Sequence, residues 1–275
     1  MPPLVERLFE IESGKVQVDT SGDGPDFVIV HSLLTGPEAF DQVASTLSEH
    51  RTVHRVHLPG FGASTPLPSS NVTVAELADL VAATISQIGC NREETVLLGN
   101  GLGSFVTLSL AIRHGKDFGP LIACNTGPGF TEEGRRAFRT MSDLATTGGM
   151  SAVIDVAVGR IFPPSYVEAH PEAPAERSAV LETIDPGAFA AACRALASLD
   201  LREQLATIVN PTLILVGEID QTTPPPMARE VAGAIPEAVL VEIPDCGHCP
   251  QLEQPEALLA SIDRFLSDLP DRGAS

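Results

Sequence analysis

The chain has 275 residues, 43% of them hydrophobic, with 36 acidic against 17 basic side chains and a formal net charge of -19. That length accommodates one α/β domain with an insertion rather than two independent domains, and that apolar content excludes a disordered chain. The charge excludes nucleic acid and anionic membrane as partners, because both need clustered Lys and Arg, and it reads as a solvated surface.

Met1-Pro2-Pro3-Leu4-Val5-Glu6 carries no basic segment followed by an apolar stretch, and no run has the length of a transmembrane helix. The five cysteines, an odd number scattered through the chain, fit reduced thiols, so the expected location is cytoplasmic. Alternating residues over 4–18 predict a strand pair, with Ser21-Gly22-Asp23-Gly24-Pro25 turning into a strand at 27–30. Residues 37–50 read as a helix and 53–57 as the next strand. Val74, Leu77, Leu80, Val81 and Ile85 have the spacing of an amphipathic helix over 74–89. Strands alternating with such helices imply an α/β fold with a mostly parallel sheet covered on both faces.

The next strand ends in Leu98-Gly99-Asn100-Gly101-Leu102-Gly103, the pattern of a G-x-S-x-G nucleophile elbow with glycine at the nucleophile position. Small residues at Gly99 and Gly103 let strand and helix approach closely. The central residue of such a turn ordinarily carries the attacking side chain, and Gly101 has none. Ser104 falls on the first turn of the following helix, where a small residue is needed for packing.

After a buried strand at 119–124, the alternation stops. Residues 125–200 hold helical segments, Pro163-Pro164 and a Pro171 to Ala175 punctuation, with no convincing strand. The expected division is a core over 1–125, a helical cap over 126–200 and the rest of the core over 201–275. Phe130, Phe138, Met141, Met150, Ile161, Phe162 and Phe189 are expected in the cap, mostly as its core and partly as the lining over Gly101. The space left beside Gly101 is expected to be open toward a substrate.

Two strands then end in polar loops. Pro211-Thr212-Leu213-Ile214-Leu215-Val216-Gly217 leads to Asp220, and Val239-Leu240-Val241-Glu242-Ile243 leads to His248. Both residues fall at the carboxyl edge of one sheet, where open α/β sheets bind ligands. An acid followed by a histidine, both after the elbow, is the chain order of an α/β-hydrolase triad. As a loop residue, His248 is expected to contribute little to stability. Cys246 and Cys249 bracket it and read as pocket-wall thiols, since a structural metal site needs further ligands.

With Val30-His31-Ser32-Leu33 and Leu58-Pro59-Gly60-Phe61-Gly62-Ala63-Ser64, these segments make nearly the whole chain resemble an α/β-hydrolase, most similar to 3-oxoadipate enol-lactonases and related lactone hydrolases. The resemblance implies catalytic roles at Gly101 (the nucleophile position), Asp220 and His248, and an oxyanion hole from the backbone N–H groups of Leu33 and Leu102. It implies a small ester, lactone or related carbonyl compound as substrate, no cofactor and no metal, and it leaves a homo-oligomer open. Ser32 stands where many relatives have Gly, and His57 where many have Asp. Three readings of Gly101 remain. It is an engineered replacement of Ser, or a natural variant whose Asp–His dyad works through water or on a substrate proton, or the mark of a ligand-binding pseudoenzyme.

Overall fold

The structure, a computed structural model, describes residues 3–69 and 71–270, with Lys116 described by its backbone alone. Met1 and Pro2, part of the N-terminal segment read above, lie outside the described residues. Among the described residues, eight strands form one sheet: β1 (Val5–Ile11), β2 (Gly14–Ser21), β3 (Asp26–Val30), β4 (Thr52–Val56), β5 (Val96–Asn100), β6 (Leu121–Cys124), β7 (Thr212–Gly217) and β8 (Val239–Ile243), in the spatial order β1-β2-β4-β3-β5-β6-β7-β8. β2 pairs antiparallel with both its neighbours, and all pairings from β4 across to β8 are parallel.

The strand sequences explain why both faces are covered. In β3, Phe27 and Ile29 enter one core cluster while Val28 and Val30 enter the other, as the two-residue period of a strand requires. The first cluster packs beneath α1 (Asp41–Leu47) and the C-terminal helix, the second beneath α2 (Val74–Ile88) and α3 (Leu102–His114). A strand buried on both sides becomes a continuous apolar run, which is how these segments read. α2 starts with a capping box, Thr73 with Glu76, and stops at Gly89 in the left-handed conformation. The expected helix at 37–50 is shorter: a 3₁₀ turn at Pro37–Phe40 precedes α1, and neither has a side-chain N-cap.

Between β6 and β7 the chain forms α4 (Glu132–Gly148), α5 (Ile154–Ile161), α6 (Pro164–Ala169), α7 (Ala173–Glu182) and α8 (Pro186–Ser198). The two ends of this excursion are tied together by a bridge between Gly129 and Asp200 and by the Leu201 N–H donating to the Pro128 carbonyl at 2.6 Å. Its phenylalanine and methionine side chains are buried, and Tyr166 is partly buried. α9 (Pro225–Ala234), α10 (Pro250–Glu253) and α11 (Pro255–Ser267) complete the described chain. Among the described residues no helix is long and apolar enough to cross a membrane.

The order β4-β3-β5 is a topological switch point. The chain leaves β3 toward one side of the sheet, returns through β4, and crosses to the other side for β5. Loops leaving β3 and β5 therefore splay apart and leave a crevice at the carboxyl edge. Because Val30 pairs with Gly99, Ser32 and Gly101 each follow by two residues and face one another across it.

Candidate active site

Gly101 sits between β5 and α3 with φ 53 and ψ -119, a conformation that strains any residue with a Cβ. The turn is tight because α3 lies almost on the sheet: a Cβ on Gly103 would come 2.0 Å from the Val30 carbonyl oxygen, and one on Gly99 would come 2.2 Å from that of Gly103. The Gly101 N–H donates to the Cys124 carbonyl at 3.1 Å, and its own carbonyl accepts from the Ser104 N–H at 3.0 Å and the Ser104 hydroxyl at 2.7 Å. Ser104 is thus fully buried and engaged in holding the turn.

Asp220 follows β7 and His248 follows β8, and the two meet with His248 Nδ1 2.9 Å from Asp220 Oδ2. A carboxylate only accepts, so Nδ1 carries a proton toward it, and the lone pair of the neutral ring lies on Nε2. Asp220 also accepts from the Asn125 side chain and the Thr223 hydroxyl at 2.7 Å each, and from the backbone of Thr222 and Thr223 at 2.7 and 3.2 Å. Burial pushes this carboxyl upward. The charge of His248 and its hydrogen bond, with those of Asn125 and Thr223, outweigh burial and hold it well below the usual carboxylate range.

The His248 loop is braced from three sides. Glu253 accepts from the Gly247 N–H at 2.6 Å and the Cys249 N–H at 2.8 Å, Asn125 donates to the Gly247 carbonyl at 3.1 Å, and Asn100 donates to the His248 carbonyl at 3.1 Å. Far from being a solvated loop residue, His248 is only 4% exposed. The low expected cost of losing it is therefore corrected: its ring covers a buried carboxylate.

In the β3 loop, His31 is fully buried. It donates from Nδ1 to the Ser32 carbonyl at 2.8 Å and accepts at Nε2 from the Leu58 N–H at 3.0 Å. Burial holds its pKa down at about 4, so it is a neutral strut that fixes the backbone of Ser32 and Leu33. Leu33 and Leu102 are both buried, and no described backbone carbonyl takes their N–H groups. Leu102 opens α3, where N–H groups have no intrahelical acceptor.

A cavity of about 600 Å³ opens between the excursion and the β7 and β8 loops, with Arg160, Ile161, Phe162, Asp220 and His248 on its wall. Gly101, Leu33 and Leu102 are not on that wall. The open space expected beside Gly101 is not there, because the Ser32 side chain fills it: a Cβ on Gly101 would lie 2.3 Å from Ser32 Oγ and 3.1 Å from His248 Nε2.

Cys246 and Cys249 are buried, and burial raises both thiols. Among the described residues, Asp26, His54 and Cys90 could together offer ligand atoms to a metal ion. Asp26 opens β3 at its amino end, whereas Asp220 and His248 follow the carboxyl ends of their strands. Sequence reasoning missed Asn100, Asn125, Glu253 and the placement of Ser32. Only Asn125, in a positive-φ turn directly after a strand, left a local trace, since asparagine tolerates that conformation.

A parallel sheet with a strand–turn–helix elbow, and an acid and a histidine joined at its carboxyl edge, defines the class of α/β-fold hydrolases. The chain belongs to the alpha/beta hydrolase family, whose model matches residues 27–261. It is 25% identical over 253 residues to the pimeloyl-[acyl-carrier protein] methyl ester esterase of Vibrio vulnificus, covering 90% of this chain and 96% of that protein. Its counterpart in Nitrosospira multiformis is 27% identical over 271 residues, covering 90% and 97%. Among solved structures, the enol-lactonase from Burkholderia xenovorans LB400 superposes with a TM-score of 0.89 at 26% identity, covering 95% of this chain and all of that one. A thermophilic esterase from Thermogutta terrifontis gives 0.85 at 25% identity, covering 96% and 98%.

Proposed function

We infer that this hydrolase cleaves a small carboxylic ester or lactone, with His248 as general base and then general acid. Asp220 orients the imidazole and stabilises the imidazolium that forms when it takes a proton. The N–H groups of Leu33 and Leu102 receive the developing oxyanion. The observation that carries this reading is the His248 Nδ1–Asp220 Oδ2 pair at 2.9 Å, with Nε2 left free and 3.1 Å from the point where an elbow side chain would begin. The esterase and lactonase names of the relatives support the same bond class.

Helices over 126–200 act as a cap, and the cavity beneath them holds the acyl part. Arg160 gives that cavity a cationic wall, and its buried Nε has no hydrogen-bond partner, which suits an acyl group bearing a carboxylate. Ser32 in the space above Gly101 favours a natural variant, because engineering a single glycine into the elbow would not supply a second side chain at that point. The absent elbow side chain favours one other reading, a ligand-binding pseudoenzyme that hydrolyses nothing.

The test is turnover of p-nitrophenyl acetate, p-nitrophenyl hemisuccinate and a panel of small lactones by the purified chain and by His248→Ala. Hydrolysis above background that disappears in the variant supports the reading. Absence of hydrolysis across the panel leaves the pseudoenzyme.

A further inference from the structure

Ser32 and Gly101 form one unit. A single point above the elbow lies 2.3 Å from Ser32 Oγ and 3.1 Å from His248 Nε2, and it is the point from which a nucleophile at position 101 would project. Neither Ser32 Oγ nor His248 Nε2 has a hydrogen-bond partner among the described residues, and the two residues are 2% and 4% exposed. A hydroxyl and an imidazole nitrogen, both unengaged, converge on one place, and His248 also lines the cavity beneath the excursion. The hydroxyl's backbone is fixed by His31, which bonds the Ser32 carbonyl at 2.8 Å and is itself bonded by the Leu58 N–H.

We propose that Ser32 is the catalytic nucleophile of this hydrolase, supplied by the loop after β3 into the space that Gly101 leaves clear. The proposal rests on the His248–Asp220 reading above and names the attacking atom. Two features make the relocation workable. Gly101 is the clearance: any Cβ there would collide with Ser32 Oγ. The oxyanion donors need no rearrangement, because the residue after the nucleophile is now Leu33 and the donor from the facing loop is Leu102, the same pair with exchanged roles.

The steps balance with water as the only co-reactant. His248 Nε2 takes the Ser32 hydroxyl proton as Oγ bonds the substrate carbonyl carbon, and the carbonyl electrons move onto the oxygen held by Leu33 and Leu102. Collapse breaks the carbon–oxygen bond to the leaving alcohol, which takes the proton from His248. Water then gives a proton to His248 and attacks the acyl carbon. The acyl–Oγ bond breaks, and that proton returns to Ser32. The long approach of base and hydroxyl in the free protein is usual and tightens when substrate binds.

The test is reaction of the whole chain with a fluorophosphonate, read by intact mass and peptide mapping, together with p-nitrophenyl acetate turnover. We expect one adduct per chain on the peptide containing Ser32, absent from Ser32→Ala and His248→Ala, and a loss of turnover of about a thousandfold or more in Ser32→Ala. Ser32→Cys, which keeps size and a nucleophile, should regain part of that loss and become inactivated by iodoacetamide. His248-dependent turnover with no adduct at Ser32, or with Ser32→Ala as active as the parent, overturns this assignment while sparing the dyad. Turnover indifferent to both Ser32 and His248 overturns both.

Discussion

Ser32 Oγ stands 2.3 Å from the position that a Cβ on Gly101 would take, although the two residues belong to different loops. The contact follows from the parallel register of β3 and β5, in which Val30 pairs with Gly99. A side chain at position 101 therefore has to displace Ser32 and also adopt φ 53. Gly101→Ser alone should lose about 1–3 kcal/mol of stability, the range for a strained non-glycine backbone, and should not raise turnover. Urea denaturation beside the p-nitrophenyl acetate rate checks both parts.

His248 closes over Asp220 inside the protein, so removing it acts on stability as well as chemistry. His248→Ala should abolish turnover and destabilise the chain by about 1–3 kcal/mol, since a buried carboxylate loses one partner while keeping those from Asn125, Thr222 and Thr223. Asp220→Asn should lower the rate less completely than His248→Ala, because it leaves the base in place but disturbs its tautomer. Urea midpoints and rates measured on the same preparations separate the two effects.

The neutral His31 predicts an acid-side loss of stability. A histidine in the unfolded chain titrates near 6.5, whereas His31 in the folded protein titrates at about 4. Between those values the unfolded state binds the extra proton, so stability falls as pH drops from about 6.5 to about 4 and this contribution then levels off. The drop is on the order of 3 kcal/mol. Asp220, depressed in the folded state, adds a separate loss that begins only as pH falls through the ordinary carboxylate range. Urea midpoints between pH 7.5 and 4 should show the first slope, and His31→Gln should flatten it.

Arg160 predicts substrate preference. If its unpartnered guanidinium nitrogen meets a substrate carboxylate, Arg160→Ala should raise KM for p-nitrophenyl hemisuccinate by roughly 10-fold or more, the value of a charge-assisted hydrogen bond. KM for the uncharged acetate ester should stay nearly unchanged. Equal effects on both esters would remove Arg160 from substrate recognition.

Part of the candidate site's geometry was legible in the chain. The apolar runs of β3, β5 and β7 mark buried parallel strands, and the loops after β5, β7 and the edge strand β8 carry Gly101, Asp220 and His248. What the sequence could not show depends on register and on long-range hydrogen bonds. Ser32 reads only as a departure from the Gly of many relatives until β3 is set beside β5. Asn100, Asn125 and Glu253 are ordinary polar residues until the fold brings the Gly247–His248 loop between them. The shortened helix after Pro37 has a local cause, for the segment lacks a side-chain N-cap and begins as a 3₁₀ turn.

The central claim, that the attacking hydroxyl has moved from the elbow to the facing loop, is tested most directly by a double-mutant cycle in kcat/KM for p-nitrophenyl acetate across the parent, Ser32→Gly, Gly101→Ser and the exchanged pair Ser32→Gly/Gly101→Ser. The account predicts that Ser32→Gly is nearly inactive and that the exchanged pair recovers turnover, because the hydroxyl again projects from the shared point beside His248. Ser32→Gly hydrolysing the ester as fast as the parent chain would contradict it.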